Sequence, residues 1–240
     1  MYIYDRPLTA SRGFSADYSA LHGSKGGKRQ DEASLMSPVA RSAEVQQLTE
    51  QIRQLGLRNE WEGIERTYKE LLKSISKSMG DDAFDLRPNA AATHQRGADA
   101  SRGLGDMQNW RNRLWRTKNS VEKAVGGTDD SLLRPIIESL SMIDKNYGSV
   151  TIAPRSSKST SKEQLAQLQL IAVVLSSDPD LRNPDQLKSI YFADKAIKET
   201  GSFTGLLPAG YYKLANEPFT VENGPTEYTG KKPTKVCWGK

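Results

Sequence analysis

Between residues 42 and 80, apolar positions recur at steps of three and four residues and predict a helical hairpin. Ser42 is a suitable N-cap, and the first helix is expected to end at Gly56. Asn59 is expected to cap the second helix, and residues 80–82 are expected to close it. Two amphipathic helices joined by so short a loop pack side by side.

The same pattern predicts a second helical hairpin and a fifth helix. Pro88 suits the first position of an alanine-rich helix that runs to about Leu104. Asp106 is expected to cap the next helix, and a fifth helix is expected to start at Thr128. Pro135 lies inside this fifth apolar run, so it is expected to kink the helix or to mark its first turn.

Two further helices are predicted in the C-terminal part of the chain. Ser161 and Gln164 form a capping box for a helix that is expected to run through Leu175. Asn183, followed by a proline and an acidic residue, predicts the start of a helix that ends at Gly201.

Strands are predicted on both sides of these two helices. Residues 149–153 alternate between polar and apolar types and predict one strand. Residues 203–214 turn through Pro-Ala-Gly into a second strand, and residues 219–221 are expected to return beside it as a hairpin partner. Residues 236–238 are expected to close the sheet.

These elements predict an α+β fold that is mainly helical. Residues 1–41 are expected to form a flexible or docking N-terminal arm. A helical-hairpin region is expected at 42–146, and a small mixed α/β module with a C-terminal β-hairpin at 147–240. A chain of 240 residues has room for one to two domains of ordinary size.

Residues 63–72 read Gly-Ile-Glu-Arg-Thr-Tyr-Lys-Glu-Leu-Leu, and this stretch resembles the second helix of the tetratricopeptide repeat. Leu-Gly precedes a tryptophan-bearing helix at 55–56 and again at 104–105. The two pairs lie 49 residues apart, whereas that family repeats about every 34 residues. The resemblance covers residues 42–123, and it implies a stack of helical hairpins of the kind that holds other proteins.

Residues 207–214 read Leu-Pro-Ala-Gly-Tyr-Tyr-Lys-Leu. Within residues 203–222, this strand and turn resemble those of small β domains of the carboxypeptidase-regulatory and PEGA type. The resemblance implies an adhesive or spacing module without a catalytic role. Because the predicted helices between 161 and 200 do not belong to such a β domain, the resemblance is restricted to the local strand and turn.

Composition excludes several classes of site. The 34 Lys and Arg and 29 Asp and Glu residues give a net charge of +5, which does not require a polyanionic partner. One cysteine excludes an internal disulfide and a cysteine-based zinc site, and two histidines leave little for a metal centre, so no metal or cofactor is predicted. No apolar run reaches membrane-spanning length and no export signal is recognisable, so we expect a cytoplasmic location or an intracellularly assembled particle.

No pattern of catalytic residues is recognisable in the chain. His94 lies in the alanine-rich helix outside any catalytic motif, so a hydrolase that uses it is the least favoured function. Residues 23–28 are rich in glycine and lysine, but they lack the spacing of a phosphate-binding loop. We therefore predict that the protein is not an enzyme.

The strongest chemical pattern is a basic and aromatic helix at 110–123. Its candidate contact residues are Trp110, Arg111, Arg113, Trp115, Arg116 and Lys118. Arginines bind phosphates and aromatic rings stack on bases, so the pattern is compatible with a single-stranded nucleic acid or another polyanion. We favour the alternative, in which Trp110 and Leu114 face the core and the arginines form a solvated stripe or pair with acids of the preceding helix.

Aromatic residues also mark the polar N-terminal arm. Tyr2 and Tyr4 flank Ile3, and this triplet is expected to add a short strand to a sheet of this chain or of a neighbour, unless the terminus is loose. The sequence as a whole favours a scaffold or assembly subunit that contacts other protein subunits, including copies of itself. Nucleic-acid binding at 110–123 is the second hypothesis.

Overall fold

The structure is a computed structural model that describes residues 43–78, 80–125, 130–155, 161–176, 183–226 and 230–239. Within these ranges it contains eight helices and two three-stranded sheets, which confirms the predicted α+β class. The helices are α1 (Ala43–Leu57), α2 (Trp61–Ser78), α3 (Asp81–Asp85), α4 (Ala90–Leu104), α5 (Met107–Val125), α6 (Asp130–Asn146), α7 (Lys162–Ala166) and α8 (Pro184–Thr200). The strands are β1 (Tyr147–Pro154), β2 (Leu170–Leu175), β3 (Phe203–Pro208), β4 (Gly210–Leu214), β5 (Glu217–Val221) and β6 (Thr234–Trp238).

The chain divides into two compact units that do not follow one another simply along the sequence. The first unit comprises residues 43–100 and 113–137 of the described chain. The second comprises residues 101–112 and the described residues from 138 onward. The predicted regions 42–146 and 147–240 were drawn as consecutive segments, whereas the observed boundaries fall inside α4, α5 and α6. The predicted arm and the predicted caps at Ser42 and Thr128 lie outside the described residues.

The core of the first unit is built on the hairpin of α1 and α2. The two helices bury apolar faces that repeat at three- and four-residue steps, and these faces pack against α3 and α4. The buried residues are Val45, Leu48, Ile52, Ile64, Tyr68, Leu71, Ile75, Phe84, Ala90 and Ala100. A helical hairpin was predicted here from the same spacing.

Two predicted helix boundaries of the first unit are wrong, and a third is incomplete. Helix α1 continues one residue past Gly56. Asn59 adopts a left-handed conformation in the loop, and the carbonyl of Glu60 accepts the first helical bond, from the Ile64 N–H. Residues 80–82 do not only close α2, because Asp81 opens the short helix α3. Helix ends depend on which side chains and carbonyls satisfy the terminal backbone groups, and neighbouring residues compete for that role.

The middle helices follow their predictions more closely. Helix α4 begins at Ala90, two residues after the expected proline. The carboxylate of Asp106 accepts a hydrogen bond from the backbone N–H of Asn109 at 3.1 Å, as expected for an N-cap. Helix α6 runs through Pro135, so this proline does not occupy its first turn.

The second unit contains both sheets. In one sheet, β1 pairs antiparallel with β3 and parallel with β6. In the other sheet, β4 lies between β2 and β5 and is antiparallel to both. Helix α8 begins as predicted, because the Asn183 side chain accepts from the Asp185 N–H at 3.0 Å, and it ends at Gly201 in a left-handed cap.

The predicted helix from Ser161 through Leu175 is wrong in its second half. The capping box of Ser161 and Gln164 is present, but the helix that it starts ends at Ala166. Residues 170–175 instead form β2, which pairs with β4. The run Leu-Ile-Ala-Val-Val-Leu contains three β-branched residues, which favour a strand when a partner strand is available.

Candidate functional site

The basic and aromatic helix predicted at 110–123 is part of α5, and half of its candidate residues point inward. Trp110, Arg111 and Arg113 are buried. Trp115 is about one-third exposed, and Arg116 has a similarly exposed side chain. Half of the residues that were candidate contacts for bases and phosphates are therefore covered by the protein itself.

Arg113 is held by three groups of the first unit. Its guanidinium donates to both carboxylate oxygens of Glu65, one at 2.8 Å, and to the Gly97 carbonyl at 2.8 Å. It also lies 4.4 Å from the centre of the Tyr68 ring. Burial opposes ionisation of Glu65, but the bonds from Arg113 outweigh it, so the pKa of Glu65 is lowered.

The remaining cations of α5 are also paired with acids. In the second unit, Arg111 donates to Asp144 at 2.7 Å. In the first unit, Arg116 pairs with Asp81, Lys118 with Glu122, and Lys123 with Asp82 and Asp85. Trp110 and Leu114 are buried, as the alternative interpretation of this helix expects, but the acids that pair with its cations do not belong to the preceding helix α4. Because each of its five cations has an acidic partner, α5 presents no unpaired basic stripe to a polyanion.

A chain of buried hydrogen bonds joins four side chains of the first unit. The Tyr68 hydroxyl lies 2.6 Å from His94 Nδ1, and His94 Nε2 lies 3.1 Å from the Asp85 carboxylate. Because the carboxylate can only accept, Nε2 carries the proton, and Nδ1 accepts from Tyr68. The Ser120 hydroxyl donates to the same Asp85 oxygen at 2.8 Å, and Lys123 donates to the other oxygen at 2.8 Å.

The pKa values of this network follow from burial and from these bonds. Burial lowers the pKa of His94 against the opposing effect of Asp85, and burial raises the pKa of Tyr68. Burial also disfavours the ionised form of Asp85, but the bonds from His94, Lys123 and Ser120 outweigh it and lower its pKa to about 2. The network therefore contains a neutral imidazole and an ionised carboxylate at neutral pH.

An aspartate, a histidine and a hydroxyl in series are the groups of a nucleophilic catalyst, but here they are closed off. His94 is 1% exposed, and Tyr68, Asp85 and Ser120 are buried around it. Each polar atom of the imidazole already has a partner inside the protein. A nucleophile must reach its substrate, so in this arrangement the network tethers α2, α3, α4 and α5 and offers no open catalytic site.

A polar depression of about 220 Å³ lies in the second unit. It is lined by Ser149, Thr220, Glu222, Gly224, Lys231, Lys232 and Thr234. Lys231 lies 3.8 Å from Glu222 and donates to the Asn223 carbonyl at 3.1 Å. Across the described ranges, no group of three His, Cys, Asp or Glu side chains is placed to hold a metal ion. The mixed charge of this depression selects neither an anion nor a cation.

Apolar side chains are exposed on the outer side of the sheet formed by β2, β4 and β5. They belong to Ile171, Val173 and Val174 of β2 and Tyr211 of β4, and we call these four residues the β2 surface. Ile171 is 46% exposed and Val174 is 55% exposed. Sequence reasoning missed this surface because it assigned residues 161–175 to a helix, with Ile171 on the apolar face of that helix.

A β-bulge explains why β2 exposes so many apolar residues on one side. Ile171 lies opposite Lys213 and Val174 lies opposite Tyr211, while Val173 has no partner on β4. Residues three apart in a regular strand point to opposite faces. The extra residue resets this alternation, so Ile171 and Val174 share the exposed face with Tyr211.

The two edges of this sheet differ in their protection. Strand β5 carries Glu217, which pairs with Arg155, and Pro218, which cannot donate to a further strand. Strand β2 has no charged residue and no proline, and in the described part of the chain it pairs with β4 alone. Charges and prolines are two means by which proteins prevent pairing at a sheet edge, and a β-bulge is a third. Strand β2 lacks the first two and carries the bulge, so it is the less protected edge.

Comparison with protein-family models, with curated proteins and with solved structures finds no match for this chain. The resemblances to the tetratricopeptide repeat and to PEGA-type domains therefore stay predictions. Tyr2 and Tyr4, the candidate contacts of the arm, lie outside the described residues. No helix in the described ranges is long and apolar enough to cross a membrane.

Proposed function

We propose that the protein is a non-enzymatic assembly subunit that associates with other copies of itself through the β2 surface. The observation that carries this proposal is the cluster of exposed apolar side chains beside an uncharged sheet edge. Contiguous apolar patches are costly in a protein that stays alone in water, and such patches beside an uncharged sheet edge are typical of protein–protein contact sites.

The chemistry of the β2 surface fits a protein partner. It combines an aromatic ring with branched aliphatic side chains, and Lys213 is the charged residue that faces outward among them. Apolar and aromatic centres with few charges are the composition of interface cores. Burying four such side chains contributes several kcal/mol at about 25 cal/mol per Å² of apolar surface, before the entropic cost of association.

The experiment is light scattering behind size exclusion over a range of protein concentrations. The wild-type chain should show a mass that rises above 26.6 kDa, and Val174→Lys should return it to the mass of one chain. Tyr191→Lys is the matched control, because Tyr191 is 70% exposed in the same unit but lies on α8. A wild-type chain that stays at 26.6 kDa at every concentration, or an equal effect of both substitutions, would overturn the proposal.

A further inference from the structure

The open stretch of the β2 edge is short. At its start, the backbone N–H of Leu170 donates to the Asp194 carboxylate of α8 at 2.8 Å, so this group is not available to a further strand. The open part is therefore residues 172–175, about 13 Å of strand at 3.3 Å per residue. An added strand of three or four residues is the right length for it.

The bulge decides what kind of strand this edge can accept. Val173 interrupts the ladder with β4, and a bulge bends its strand and increases the local twist. Two copies of β2 meeting across a two-fold axis would bring two rigid bends together. An extended segment that is not part of a sheet can follow one bend, so a peptide-like segment is the better partner for this edge.

We infer that the occupant is the segment Tyr2-Ile3-Tyr4 of a second copy of this chain, added as a strand beside β2. This inference rests on the proposed function. The triplet is uncharged, rich in β-forming residues and three residues long. In an extended segment Tyr2 and Tyr4 fall on the same side, where they meet the exposed face of Val174 and Tyr211.

Reach allows a donor from another copy, which is the arrangement that the proposed function requires. Thirty-eight residues separate Tyr4 from Ala43, a contour length of up to about 125 Å when fully extended. Ile171 and Val174 are about half exposed, so the described residues of the chain do not cover the surface. Each copy then carries one donor segment and one acceptor edge, and this head-to-tail contact generates a ring or an open filament.

The test uses two variants of the full chain that each lack one half of the contact. Deletion of residues 1–10 removes the donor and keeps the β2 edge, whereas Val174→Lys removes the acceptor and keeps the donor. Each variant alone should have the mass of one chain, and an equimolar mixture should form a dimer that grows no further. The control variant Tyr191→Lys keeps both the donor and the acceptor, so it should assemble without a second variant.

A labelled peptide of residues 1–8 gives a second readout. It should bind the deletion variant, and it should not bind the deletion variant that also carries Val174→Lys, although both have the same circular dichroism spectrum. If the deletion variant assembles like the wild-type chain, the donor is another segment or a second β2 edge, and this inference fails while the proposed function stands. If both variants are single chains and their mixture forms no dimer, the proposed contact between residues 2–4 and the β2 edge is overturned. A wild-type chain that never assembles defeats the proposed function itself.

Discussion

Asp85 offers the sharpest test of the buried network. Its carboxylate accepts hydrogen bonds from His94, Ser120 and Lys123. Asn in its place keeps the shape of the side chain but removes the charge and turns an amide N–H group toward one of these donors. The substitution therefore imitates protonation of the carboxylate without changing the volume of the core.

The magnitude follows from the pKa of Asp85. Burial opposes ionisation, but the three hydrogen bonds outweigh it and lower the pKa from 3.8 to about 2. Since one pKa unit corresponds to about 1.4 kcal/mol, the folded chain favours the ionised form over the neutral form by about 2.5 kcal/mol more than the unfolded chain does. We expect Asp85→Asn to lower the free energy of unfolding at pH 7 by about 2–3 kcal/mol.

The assay is urea unfolding followed by far-UV circular dichroism, with Asp82→Asn as the matched control. Asp82 contacts the same ammonium group of Lys123 at 2.7 Å, but its side chain is 98% exposed, so its removal should have no measurable effect. Because the pKa of Asp85 is lower in the folded chain, its contribution is complete above about pH 4 and is lost as the pH falls toward 2. The loss caused by Asp85→Asn should therefore shrink to about half at pH 3. Equal losses for the two variants, or a loss that is the same at pH 7 and pH 3, would refute this account.

Three further measurements probe other contacts. His94 should titrate below its ordinary pKa of 6.5 in the folded chain, because burial lowers its pKa, and an NMR titration of the imidazole carbons reports this directly. Since the unfolded chain takes up a proton below 6.5, the free energy of unfolding should fall as the pH drops below that value. Arg113→Lys should lower the free energy of unfolding in urea by about 2–3 kcal/mol, because one ammonium group cannot replace both the bidentate contact with Glu65 and the bond to the Gly97 carbonyl. Arg116→Lys, which alters a more exposed ion pair, should stay near wild type. Gly105→Ala should lower the thermal midpoint more than Gly80→Ala: both glycines have a positive φ, but a Cβ at 105 would lie 2.3 Å from a backbone oxygen, while a Cβ at 80 meets open space.

Local chemistry in the sequence was a good guide to several helix ends. Asn183, Ser161 and Asp106 act as N-caps in the structure, each through a bond to a backbone N–H two or three residues away. Such contacts lie within one turn, so a short window of sequence contains both partners. The spacing of apolar residues in α1 and α2 is local in the same sense, and it predicted the helical hairpin.

Long-range pairing could not be read from the pattern. The run at 170–175 is apolar enough for either a buried helix or a strand, and the choice is made by β4, some forty residues further along the chain. A strand forms here because its partner satisfies the backbone groups that a helix would satisfy internally. The exposed β2 surface follows from that pairing and from its bulge, so it was not predictable either.

The residue types of α5 were recognised, but their partners were not. Arg113 pairs with Glu65 across 48 positions and Arg111 pairs with Asp144 across 33. A stretch of basic and aromatic residues looks the same in sequence whether its charges face water or acids from distant elements. The distinction depends on tertiary contacts alone, and it changes which chemistry the helix can perform.

The bulge at Val173 also has a consequence for how this sheet can change in length over evolutionary time. Loss of Val173 would leave Ile171 opposite Lys213 and Val174 opposite Tyr211, so the shortened strand would keep every remaining side chain on its present face. Loss of a residue inside β4 would instead exchange inner and outer faces for the rest of that strand. A single-residue deletion in β2 is therefore best tolerated at position 173, where a shorter descendant keeps Ile171, Val174 and Tyr211 exposed on a straighter strand.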